Sequence, residues 1–138
     1  DALNGYQKGS CFYCFRDISI VFGSDSLADV DHFFPHVLKP YKIVKSINGV
    51  WNLVLSCSEC NRGTGGKFDA IPKLHLLERL CVRNEFLIHS HHPLRETLRM
   101  QTGKSLHQRQ SYLQNAYNKA VELRTIQWQP KSSSVPRF

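Results

Sequence analysis

Two CxxC pairs, Cys11/Cys14 and Cys57/Cys60, constrain this chain more than any other feature. Four thiolates delivered by two such knuckles suit one closed, tetrahedral zinc site. Two disulfides are the other way to use four cysteines. The first residues (DALNGYQKG) lack the apolar segment of a secretory signal. The pattern therefore points to metal in a reducing, cytoplasmic setting. Forty-two residues separate Cys14 from Cys57, more than a compact zinc ribbon holds, so a further unit must fold between the knuckles. A fifth cysteine, Cys81, shares a helical apolar stripe with Leu74, Leu77 and Leu80 and is expected in the core.

The inserted residues carry both strand and site signals. Residues 27–34 and 51–56 are apolar and rich in strand formers, Pro35 stops the first, and Asn48-Gly49 marks a turn. Residues 15–22 (FRDISIVF) read as a further strand. Ser58 is expected to cap a helix that carries Asn61. Asp and Asn oxygens suit a hard divalent cation, which makes Asp31 and Asn61 candidate ligands of Mg²⁺ or Mn²⁺. His32 beside them is the candidate general base. Neighbours on a regular strand point to opposite faces, so this pairing implies a bend at the strand's end. Asn52 is expected to hold the His32 loop by hydrogen bonds, and Asp29 to support the ligands.

Taken in order, CFYC, DVDHFFP, NLVLSC and SECN resemble the HNH endonuclease family. DVDHFFP and NRG are also similar to the HNH domain of RNA-guided CRISPR effector nucleases. The resemblance covers about residues 11–72. It implies a ββα-metal core, catalytic His32 and Asn52, catalytic metal at Asp31 and Asn61, structural zinc on Cys11, Cys14, Cys57 and Cys60, and double-stranded DNA as substrate. The family's lysine stands closer to its last metal-binding Asn than Lys67 does to Asn61. Either Arg62 takes the basic role, or a turn through Gly63, Gly65 and Gly66 brings Lys67 back. His36, Arg62 and Lys67 are the expected phosphate contacts. A zinc-stapled nucleic-acid-binding module without cleavage is the alternative. The absence of an initiating methionine fits a nuclease arm of a larger antiviral or CRISPR effector.

Beyond residue 72 the pattern is helical. Pro72 suits a first helical position, residues 94–102 form a short helix, and Ser105 with Gln108 forms a capping box for a helix reaching about residue 126. His89, His91 and His92 read as capping and surface chemistry beside Pro93 rather than as a second metal site. The expected class is thus α+β: residues 1–72 a ββα-metal core stapled by zinc, 73–128 a basic helical extension, and 129–138 a mobile tail. No run is long enough for a membrane span. Residues 1–70 hold seven Lys/Arg and seven Asp/Glu, whereas residues 71–138 hold eleven and four, the whole of the +7 net charge. That excess (Arg79, Arg83, Arg95, Arg99, Lys104, Arg109, Lys119 and Arg124) is expected to attract DNA phosphates, with Lys39, Lys42 and Lys45 as the other source of contacts.

Overall fold

The computed structural model describes residues 2–138. Its elements run α1 (Ala2–Gln7), β1 (Asp29–His32), β2 (Leu53–Ser56), α2 (Ser58–Arg62), β3 (Ile71–Pro72), α3 (Leu74–His89), α4 (Arg95–Thr102), α5 (Leu106–Leu123) and β4 (Gln127–Trp128). This is a small mixed α+β protein with two two-stranded sheets. β1 and β2 pair antiparallel, with Asp29 opposite Ser56 and His32 opposite Leu53. β3 and β4 pair parallel and close the helical segment α3–α5 at its two ends.

Both strands of the first sheet are shorter than their apolar runs. β1 stops at His32 because the next backbone groups go elsewhere: Phe33 N donates to Asn52 O at 2.8 Å, and Phe34 N to Asn52 Oδ1 at 2.8 Å. β2 starts only at Leu53 because Val50–Asn52 forms a 3-10 turn. α2 follows at once. Its N-cap is Cys57 rather than Ser58, since the Cys57 sulfur accepts the Cys60 N–H at 3.4 Å.

The expected strand over residues 15–22 is absent. Phe15 adopts a left-handed φ of 64° that closes the first knuckle, and the segment's ladder pairing is limited to isolated bridges, Ser10 to Asp17 and Ser19 to Leu27. It loops outward, leaving Phe22 94% exposed. Pro72 likewise does not open a helix. It sits in β3, where its missing N–H costs nothing because the neighbours make the ladder: Ile71 N donates to Ile126 O and Lys73 N to Trp128 O. α5 carries the expected capping box and ends at Leu123, because the chain then turns into β4. The inward faces are Leu76, Leu77, Leu80, Leu87 and Ile88 on α3 and Leu113, Ala116, Tyr117 and Ala120 on α5; Leu74 and Leu106, at the helix starts, are exposed.

One apolar cluster draws on both ends of the chain, joining Phe12, Tyr13, Phe33, Phe34, Trp51 and Val54 to Leu76, Leu80, Leu98 and Leu113, with Cys81 partly buried against it. The last residues lie against this cluster rather than apart from it. The Phe138 ring lies 4.7 Å from that of Phe15 and 5.2 Å from that of Tyr6, Ser134 N donates to Cys14 O at 2.7 Å, and Arg137 pairs with Asp17. Residues 129–138, expected to form a mobile tail, are mostly exposed and carry these aromatic and polar anchors.

Arg83 fastens α3 to the sheet. It is fully buried, and its guanidinium donates to Leu53 O at 2.8 Å, Val50 O at 3.0 Å, Trp51 O at 3.2 Å and Asn84 Oδ1 at 2.9 Å. No carboxylate meets it, and burial pushes its pKa down to about 10. Replacing it with Met keeps the bulk but strands Leu53 O and removes one of two donors from each of Val50 O and Trp51 O. Arg83→Met is expected to lower stability by about 3 kcal/mol or more, read from the denaturant midpoint at unchanged slope. A loss below about 1 kcal/mol would mean that the carbonyls find water instead.

Candidate functional site

The two knuckles meet. The Sγ atoms of Cys11, Cys14, Cys57 and Cys60 all lie within 4.8 Å of one another and all four residues are buried. Cys14 and Cys57 are 3.8 Å apart at sulfur. A disulfide needs about 2.05 Å, whereas a tetrahedron with metal–sulfur bonds of about 2.3 Å sets its corners at about 3.8 Å. Backbone N–H groups of Tyr13 and Cys60 donate to Cys11 and Cys57 sulfurs, each at 3.4 Å. The Cys14 thiol holds Cys11 far below the ordinary thiol value, while Cys11 pushes Cys60 far above it. Four crowded thiols cannot all ionise unaided, and a divalent cation supplies the missing charge. The cluster can therefore hold a structural metal such as zinc. His89, His91 and His92 form no such group: His89 pairs with Glu85 at 3.3 Å, and His92 Nδ1 accepts the Leu94 N–H at 3.1 Å.

The knuckles also deliver two donors to Asp31. Tyr13 lies between Cys11 and Cys14, and its hydroxyl donates to Asp31 Oδ2 at 2.6 Å. Burial, then the Asp31 charge, pushes the phenol well above its ordinary value, so it remains a donor. Lys67 arrives from the other knuckle. Its N–H donates to Cys60 O at 2.6 Å, and its Nζ lies 3.2 Å from the same Asp31 oxygen. The glycine run permits this return. Gly65 has φ +74°, and a Cβ on Gly66 would meet Glu59 O at 2.8 Å. Asp31 Oδ1 receives no hydrogen bond from any described residue. Lys67, expected among the phosphate contacts, has a fully buried side chain that also donates to His32 O at 2.8 Å. Burial pushes its ammonium below the usual value, and a group enclosed in this way holds Asp31 rather than reaching substrate.

His32 stands apart from these groups. Its Nε2 is 2.8 Å from Asn48 Oδ1, and its ring meets that of His36 edge-on at 5.3 Å. An amide oxygen only accepts, so Nε2 is the donor, and of the two neutral tautomers the one with its lone pair on Nδ1 fits this contact. The strand stays regular through His32, so Asp31 turns inward and His32 turns to the half-exposed face; the bend comes only afterwards, at Phe33. Asn52 shapes that bend. Fully buried, it accepts the Phe34 N–H at 2.8 Å and donates to Phe34 O at 3.0 Å and Ile47 O at 2.8 Å.

On α2, Asn61 Nδ2 donates to Asp29 Oδ2 at 3.1 Å, and Arg62 grips both Asp29 oxygens at 2.9 and 3.4 Å. Arg62 foremost holds the Asp29 carboxyl below its ordinary value. The contact of Asn61 is thus with Asp29, and its Oδ1 accepts no hydrogen bond from a described residue. Arg62 is exposed but engaged; His36 is exposed. Tyr13 and Asn48 were missed in the sequence. A tyrosine inside a CxxC carries no signal for its hydroxyl's partner, and Asn48 reads simply as a turn residue. No helix among the described residues is long and apolar enough to cross a membrane. No protein-family model, curated protein or solved structure matches the chain.

Proposed function

We propose that this chain is a metal-dependent endonuclease of the HNH type, hydrolysing phosphodiester bonds of DNA, with structural zinc on its four clustered cysteines. One observation carries the reading. β1 bears, at consecutive positions whose side chains take opposite faces, a carboxylate with one oxygen held and the other free and a histidine whose Nε2 is fixed as donor.

Asp31 Oδ1 and Asn61 Oδ1 are hard oxygen donors with no competing hydrogen bond among the described residues. They suit Mg²⁺ or Mn²⁺, which accept few protein ligands and keep several waters. Such an ion, when bound, offsets the charge that builds on the phosphate. His32 Nδ1 accepts a proton from the attacking water. Asn48 accepts the Nε2–H hydrogen bond and so favours the neutral tautomer whose lone pair is on Nδ1. Asn52 fixes the turn that carries the histidine. Tyr13 and Lys67 hold the Asp31 carboxylate at one oxygen and so aim the other.

Plasmid DNA incubated in buffer free of divalent cations should stay intact, and added Mg²⁺ or Mn²⁺ should produce nicked or linear product while zinc remains bound. DNA binding without cleavage under every divalent cation would replace this reading with that of a zinc-stapled binding module.

A further inference from the structure

We propose that the cleft lined by Lys39, Lys42 and Lys45 is the track along which the sugar–phosphate backbone of a DNA strand reaches His32. The inference rests on the nuclease reading above and adds the surface that holds the substrate.

The distribution of free positive charge leads to this cleft. All nine arginines are committed within the protein. Arg16 pairs with Glu59, Arg62 with Asp29, Arg99 with Glu96, Arg109 with Glu85 and Arg137 with Asp17. Arg79, Arg83, Arg95 and Arg124 donate to main-chain carbonyls. The arginines of the C-terminal half, expected from the sequence to bind DNA, are therefore engaged within the fold, while its Lys73, Lys104, Lys119 and Lys131 are dispersed outside this cleft. Of the nine lysines, only Lys67 has an ion pair or side-chain hydrogen bond among the described residues.

Three of the remaining lysines line one open cleft of about 510 Å³, and no carboxylate lines it with them. The first seventy residues are formally neutral, but four of their acids, Asp17, Asp29, Asp31 and Glu59, each face an arginine or Lys67, and Asp25 and Asp69 do not line the cleft. Of the four lysines in that half without an ion pair or side-chain hydrogen bond among the described residues, three gather in this cleft and only Lys8 lies elsewhere.

Position ties the cleft to the histidine. Asn48 forms part of its wall and accepts the His32 ring hydrogen bond at 2.8 Å. The 3-10 turn His36–Tyr41 carries Lys39 and begins with the histidine whose ring lies 5.3 Å from that of His32. Lys42 caps that turn, its N–H donating to Lys39 O at 3.2 Å, which holds the two lysines in fixed relation. Flexible ammonium groups suit phosphates as point charges and do not read bases. Binding through this track is accordingly independent of sequence and steeply dependent on salt.

The test measures binding of a short DNA duplex to full-length chain by anisotropy across a salt series, without divalent cations so that nothing is cut. The variants are Lys39→Gln/Lys42→Gln/Lys45→Gln and, as a control of equal charge change, Lys73→Gln/Lys104→Gln/Lys119→Gln. Melting temperature and zinc content confirm that both are folded. The cleft variant should flatten the log–log salt slope by about 2 to 3 and bind roughly 10²-fold more weakly at about 0.1 M salt, with the control close to wild type. An unchanged slope in the cleft variant, an equal loss in the control, or a wild-type chain without salt-dependent binding overturns the track. Cleavage is scored separately with Mg²⁺. A wild type that binds through these lysines but never cuts refutes the nuclease and keeps the track; one that cuts equally well as the cleft variant keeps the nuclease and refutes the track.

Discussion

Removal of zinc, by a strong chelator or by Cys60→Ser, is expected to unfold the region of residues 10–72 rather than loosen it. The reason is the size of what zinc holds. The first sheet has two strands of four residues each, and α2 has five. A two-stranded sheet is marginal alone. A Cys₄ zinc site contributes on the order of 10–16 kcal/mol of apparent binding energy, which equals or exceeds the roughly 5–15 kcal/mol of a whole domain. The loss spreads because the knuckle is shared. Arg79 on α3 donates to Phe12 O at 2.7 Å and Tyr13 O at 3.0 Å, and its guanidinium lies over the Phe15 ring at 4.4 Å. Metal analysis of native protein should give one zinc per chain, and the metal-free form should lose its cooperative thermal transition. An unchanged melting temperature after chelation, or thiol counts showing two disulfides, would remove zinc from the description.

His32→Ala is expected to reduce Mg²⁺-dependent DNA cleavage by about 10² or more, the usual contribution of a positioned general base. Melting temperature and zinc content should not move, because the ring is half-exposed, makes one side-chain hydrogen bond and meets the His36 ring edge-on. Asn48→Ala should reduce cleavage by roughly 10-fold, as groups that orient a functional histidine commonly do. It should also shift the ring ¹⁵N resonances of His32 away from the pattern of a proton fixed at Nε2, a change that simple loosening of the loop would not produce. Near-wild-type cleavage by His32→Ala would assign the proton transfer to another group.

The amino-acid sequence by itself made several features legible. Paired CxxC spacing pointed to a four-thiol cluster, because ligand spacing is a local property of each knuckle. Apolar runs located both strands of the first sheet, and the Ser105/Gln108 pair located the start of α5, because caps and periodicity are also local. Residues 15–22 misled for the same reason: a strand pattern needs a partner, and the knuckle geometry at Phe15 sends that segment outward. Tertiary structure alone decided the rest. Tyr13 meets Asp31 across 18 residues, and Lys67 returns to it across 36, through a glycine turn whose path no periodicity encodes. The arginines that dominate the charge of the C-terminal half are taken up by carboxylates and carbonyls, so net charge along the chain did not say which cations stay free. Charge is a property of the sequence, but free charge depends on which partners folding brings within reach. Here folding gathers Lys39, Lys42 and Lys45 in one cleft whose wall includes Asn48, the partner of the His32 ring.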